Sequence, residues 1–260
     1  MPGVKIGIQT RSLRQPIRQA INTAARIGAA GVEIDARTEL RPSDVSSTGL
    51  RDFLKLLSDR SLRVAAVAFP TRRGYDVPDD LERRVLATQE AMRFAADLRC
   101  DVVILRIDHV PTETETAGWT RIVEALTALG LFGERIGVRP ALQPVGPSPA
   151  EVLRLINALP EHSVGVDLHP SALIFSGHSP TEAVESLGPH ISHVHACDAV
   201  PNPGSRQVTE VELGRGAADM PDLLGRLTEF DYRGWVTIER RDSANAAEEI
   251  GNAVEYLRSL

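Results

Sequence analysis

The chain has 260 residues, 42% hydrophobic and 25% charged, with a formal net charge of -6. That acidic balance argues against nucleic acid as a partner, because such binders gather Lys and Arg on one face, and no apolar run is long enough to span a bilayer. Cys100 and Cys197 show no paired-ligand spacing, so a disulfide framework or thiolate zinc site has no support and two reduced, buried thiols are expected. The opening "MPGVKIGIQT" enters a strand pattern without the basic start and apolar run of a secretory leader, which predicts a cytoplasmic protein.

Short apolar runs alternate with longer stretches of helical period. "VKIGIQ" leads into "IRQAINTAARIGAA", "GVEIDA" into "GLRDFLKLLSDR", and "LRVAAVAF" into "DDLERRVLATQEAMRFAADL". "DVVILRI" then precedes "WTRIVEALTALGLFGERIG", "RPALQPV" precedes "SPAEVLRLINAL", and "SVGVDL" precedes "SPTEAVESL". Finally "ISHVHAC" precedes "MPDLLGRLTEF", and "GWVTIER" precedes "SANAAEEIGNAVEYLRSL". Eight such pairs without a linker predict one domain over residues 1–260, folded as a single (β/α)8 barrel, since open doubly wound sheets usually have fewer strands. Ser148 and Ser179, each followed by a proline and then by an acid three residues on, predict capped helix starts.

In such barrels the chemistry lies at the C-terminal strand ends, and side-chain alternation leaves every second residue facing inward. This filter selects Gln9 on the first strand, Glu33 and Asp35 on the second, Arg106 and Asp108 on the fourth, and Gln143 on the fifth. The later strands add Asp167 and His169, His193 and His195, then Glu239 and Arg241. Each of these taken singly also suits a rim salt bridge or a capped backbone group; their convergence on one end points to a site. Asp167 and His193 sit one inward step deeper than His169 and His195, where a buried structural pair is expected. Arg72, Arg73, Arg106 and Arg241 near the mouth favour a small-molecule substrate bearing phosphate or carboxylate.

Three stretches resemble the xylose-isomerase-like TIM barrels, the group of sugar phosphate isomerases and epimerases: "AARIGAAGVEI", "VGVDLHPSALIFSGHSPTEAVESLGPHISHVHACD" and "LGRGAADMPDLLGRLTEFDYRGWVTIE". The resemblance spans nearly the whole chain. It implies a carbohydrate-metabolising enzyme with one divalent metal held by Glu, Asp, His and Glu from strands five to eight. These positions fall on Gln143, His169, His195 and Glu239, so two carboxylates are replaced, and a family histidine falls on Ala172. His169, His195 and Glu239, with the Gln143 amide oxygen, would suit Zn, Fe, Co, Ni or Mn better than Mg.

The resemblance also implies proton abstraction next to a carbonyl. The family's paired glutamates become Glu239 and Gln143, and an amide cannot exchange a proton. Glu239 is then the expected base, with His169 as a further catalytic group and Gln9, Glu33, Arg106, Asp108, His109 and Arg241 about the substrate. An isomerase or epimerase is the first expectation and a one-base dehydratase the second. A metal-free enzyme and a silent metabolite-binding barrel stay open, and assembly into a homo-oligomer is expected from the family.

Overall fold

In the computed structural model, which describes residues 5–112, 114–202 and 207–260, the strands follow the predicted alternation. They are β1 (Lys5–Gln9), β2 (Gly31–Asp35), β3 (Arg63–Ala68), β4 (Val102–Ile107), β5 (Arg139–Pro144), β6 (Gly165–Leu168), β7 (Ile191–Ala196), β8 (Asp198–Pro201), β9 (Val208–Val211) and β10 (Trp235–Ile238). All but β8 and β9 join a closed barrel in which β10 lies between β7 and β1. β1 pairs in parallel with both β2 and β10, which seals the ring.

Outside the ring run α1 (Ile17–Arg26), α2 (Ser47–Ser58), α3 (Leu81–Asp97), α4 (Thr116–Ile136), α5 (Pro149–Asn157), α6 (Pro170–Phe175), α7 (Pro180–Leu187), α8 (Met220–Glu229) and α9 (Ala246–Ser259). Outward strand residues such as Ile8, Ile34 and Leu105 are buried against helix residues such as Ile21, Met92, Leu126 and Ile250. A second, smaller cluster of Ala66, Val102, Ile104 and Ala141 fills part of the barrel interior. The two layers reflect strand alternation: one parity meets the helices and the other meets the opposite strands. Ser148 caps α5 in a reciprocal box with Glu151, and Ser179 caps α7. Among the described residues no helix is long and apolar enough to cross a membrane.

Two features depart from a plain eightfold alternation. The short α6 follows β6 immediately, because Pro170 can begin a helix and the His169 ring accepts the Ala172 N–H as a cap. The antiparallel β8–β9 hairpin fills the connection after β7. Buried Asp198 at its base accepts the backbone N–H groups of Ala199, Gly214, Gly216 and Ala218, so one carboxylate holds the segment that follows β9.

Two register shifts aim the interior. Val32 pairs with Val64 but Glu33 pairs with Ala66, and Val166 pairs with Ile191 but Asp167 pairs with His193. An extra residue on β3 and another on β7 thus stand opposite the steps that lead into Glu33 on β2 and Asp167 on β6. Such bulges re-aim side chains and are common beside functional sites.

Candidate active site

The deepest polar layer is built on Asp167. Its Oδ1 accepts from His193 Nδ1 at 2.8 Å, and its Oδ2 accepts from His195 Nδ1 at 2.9 Å and from Gln143 Nε2 at 2.7 Å. Strand register brings Asp167 and His193 together, and Thr237 Oγ1 lies 2.8 Å from the other ring nitrogen of His193. Burial pushes the Asp167 carboxyl up, but His195 and His193 outweigh it and hold the group well below the usual carboxylate range. With Asp167 taking the Nδ1 proton of His195, Nε2 points to the opposite side.

That nitrogen faces Glu33. His195 Nε2 lies 2.8 Å from Glu33 Oε2, yet the two are misaligned for a hydrogen bond, and each is buried without a hydrogen-bond partner. The other Glu33 oxygen accepts from Gln9 Nε2 at 2.9 Å, and the same nitrogen donates to Glu239 Oε2 at 2.7 Å. Ser12 Oγ donates to Gln9 Oε1 at 2.9 Å, which fixes the amide orientation. Burial lowers the proton affinity of His195, but Asp167 and Glu33 raise it well above the ordinary histidine value. The imidazole between Asp167 and Glu33 is thus stabilised in its charged form.

Glu239 forms the other half. Its Oε1 lies 3.3 Å from His169 Nε2 and pairs with the Arg241 guanidinium, while Oε2 lies 3.6 Å from His195 Nε2. The Ala172 N–H points at His169 Nδ1 from 3.1 Å, so that nitrogen keeps its lone pair and Nε2–H donates to Glu239. Cys197 Sγ lies 3.4 Å from the same Nδ1. Burial raises the Glu239 carboxyl, but His169, His195 and Arg241 outweigh it and hold the group well below its usual range.

Above this layer opens a cavity of about 440 Å³ at the C-terminal strand ends. Gln9, Glu33, Asp35, Gln143 and Glu239 form its acidic and amide floor, and Arg11, Arg14, Arg106 and Arg241 line it as well. Arg11 pairs with Asp35 at 2.6 Å, and Arg14 donates to the carbonyl of Arg241.

Residues 21–260 match the family described as xylose isomerase-like TIM barrel. The chain belongs to this family. A fructoselysine 3-epimerase of Escherichia coli O157:H7 is 24% identical over 87% of this chain and 86% of its own length. An inosose dehydratase of Clostridium botulinum (strain Alaska E43 / Type E3) is 23% identical over 92% of this chain and 85% of its own. Among solved structures, a xylose isomerase domain protein from Planctomyces limnophilus superposes with a TM-score of 0.87 at 22% identity, covering 99% of this chain and 97% of that one.

Against the family's four metal positions, His169, His195 and Glu239 offer donor atoms within 4.8 Å of one another, and so do Glu33, His193 and His195. Together with the two unpartnered buried atoms of Glu33 and His195, this donor set fits a divalent cation. Gln143 reaches the cavity, but its amide nitrogen is committed to Asp167. His169 and His195 lie beneath the floor rather than on it, so His169 touches Glu239, not the cavity.

Gln9, Glu33, Arg106 and Arg241 line the cavity as alternation predicts, but Asp108 and His109 do not. β4 ends at Ile107 and inward alternation ends with it: Asp108 is exposed and pairs with Arg106 at 2.6 Å, and exposed His109 lies 3.1 Å from Asp76. Arg72 and Arg73 line a separate groove with Arg37 and Arg83. Sequence reading missed Arg11 and Arg14, whose only signal was their place just after β1.

Proposed function

We propose that this barrel is an enzyme that removes a proton from the carbon beside a carbonyl in a small polyhydroxylated substrate, with Glu239 as the base. The observation that carries this reading is Glu239 itself: an ionised, buried carboxylate on the cavity floor, held between Gln9, His169 and Arg241. The two curated relatives, named as an epimerase and a dehydratase, fit a shared proton-abstraction step. A divalent ion held with His195 and Glu239 would polarise the substrate carbonyl.

One base favours elimination, or an isomerisation in which solvent returns the proton. The family's second carboxylate falls on Gln143, whose amide donates to Asp167 and acts as neither acid nor base near neutral pH. Elimination closes with a single carboxyl. Glu239 takes the proton from carbon, the electron pair forms the new double bond, and the same proton leaves with the departing hydroxyl as water. His169 positions Glu239 through Nε2–H, and the arginines of the wall suit an anionic group on the substrate.

Incubation of inososes and ketoses in deuterated solvent tests the step. NMR should show deuterium entering at the carbon beside the carbonyl, or loss of water, and Glu239→Gln should slow this by about 10²–10⁴-fold. Exchange at an unchanged rate in that variant removes Glu239 from the role. A normal melting curve for the variant is the control for folding.

A further inference from the structure

Arg72 and Arg73, expected from the sequence at the barrel mouth, line a groove of their own that the proposed reaction does not use. The groove has a volume of about 790 Å³ and shares no lining residue with the catalytic cavity. It lies between the turn after β2, the connection from β3 to α3 and the first turns of α3. Six arginines line it against two acids, Asp80 and Glu90, in a chain whose net charge is -6. Like charges gathered in this way repel one another unless an anion sits among them.

The partners of these arginines leave most of that charge uncancelled. Arg41 and Arg73 pair with Asp44 and Asp79, at 2.8 and 2.6 Å, and neither acid lines the groove. Arg37 and Arg84 are half-buried and held by neutral groups. Arg37 Nη1 donates to the Pro70 carbonyl at 3.0 Å, and its guanidinium lies 6.0 Å from the centre of the Phe69 ring. Arg84 donates to the carbonyls of Val77 and Asp79, while its Nε is buried without a hydrogen-bond partner. Carbonyl oxygens fix a guanidinium in place without cancelling its charge. Among the described residues, exposed Arg72 and Arg83 have neither an ion pair nor a side-chain hydrogen bond.

From this we infer that the groove is a second ligand site, one that takes the phosphate group of a small molecule. Arg37 and Arg84 are its fixed cations, and Arg72 and Arg83 are free to close on the ligand. Guanidinium forks match phosphate oxygens two at a time, which a single carboxylate among several arginines would satisfy less fully. The volume falls within the range of about 300–1,000 Å³ typical of small-molecule pockets. The site goes beyond the proposed reaction, yet it shares a wall with it. Along this wall neighbouring residues face opposite ways: Asp35, Ala68 and Pro70 line the catalytic cavity, whereas Ala36, Phe69 and Thr71 line the groove.

Titration of the 15N-labelled full chain with inorganic phosphate at low ionic strength, followed in 1H–15N NMR spectra, tests the site. The amide signals of Ala36, Thr38 and Thr71 should shift along one saturable curve. Arg72 and Arg83 are exposed and unpartnered, so the double variant Arg72→Gln, Arg83→Gln should give the parent's spectrum elsewhere. It should bind phosphate at least about tenfold more weakly, the loss expected when one charge-assisted hydrogen bond goes. Ribose, the uncharged control, should leave the groove signals in place. Ribose 5-phosphate should shift them, and its affinity relative to inorganic phosphate tells a phosphate ester from free phosphate as the ligand, either of which supports the site. Shifts confined to Ser12 and Gln143 of the catalytic cavity, unchanged affinity in the double variant, or no saturable shift below about 10 mM phosphate each overturns the inference. The readout is binding alone, so its outcome is independent of whether Glu239 is the base.

Discussion

Asp167 keeps its negative charge where water cannot reach it, and three donors make that tenable: Gln143, His193 and His195. Replacing Asp167 with Asn puts an amide N–H where an acceptor is required and leaves at least one buried imidazole unpaired. Breaking a buried pair of this kind costs about 3–5 kcal/mol, so Asp167→Asn should lower the urea midpoint of unfolding by a corresponding amount. A cost under about 1 kcal/mol, the range of an exposed ion pair, would mean that the network is slack. Glu239 also keeps its charge in a buried place, but it faces the cavity, so the same kind of donor ring there serves chemistry rather than stability alone.

At the scale of elements, the start of α5 is the plainest case of local determination. Ser148 accepts the Glu151 N–H, and Glu151 Oε2 accepts the Ser148 N–H at 2.7 Å. The Ser148 hydroxyl and backbone N–H hold the Glu151 carboxyl below its ordinary value of 4.5. A carboxyl with a depressed folded pKa contributes stability that is complete above 4.5 and fades as pH falls through the folded value. Ser148→Ala should therefore cost about 1 kcal/mol near neutral pH and should flatten the loss of stability on the acid side. Thermal midpoints measured from neutral to acid pH for both proteins check the size and the sign together.

The whole molecule depends on closure. β1 pairs with β2 on one side and β10 on the other, with Ile8 opposite Val32 and Ile238, all buried against the helices. Truncating Ile8 to Ala should cost about 2–5 kcal/mol through lost transfer energy and the cavity left behind. Trp235 fluorescence on β10 and far-UV circular dichroism should report the same shifted urea midpoint with an unchanged slope. Transitions that separate would show the seam opening apart from the rest.

Much of this architecture is written locally. Alternation between strand and helix periods, the prolines and serines at helix starts, and polar residues at strand ends are properties of neighbours in the chain, so the eightfold count, the α5 and α7 caps and the inward placement of Gln9, Glu33, Gln143 and Glu239 could be read before any tertiary contact was known. What decided the site was not local. The extra residues on β3 and β7, which set what stands opposite Glu33 and Asp167, are mismatches between two strands, and no single strand records them. The same holds for His169, whose ring nitrogen is taken by a helix that only the turn after β6 creates, and for Asp108 and His109, which lie beyond the point where β4 leaves the barrel. Sequence names the side chains at each strand end; register between strands chooses which of their atoms meet.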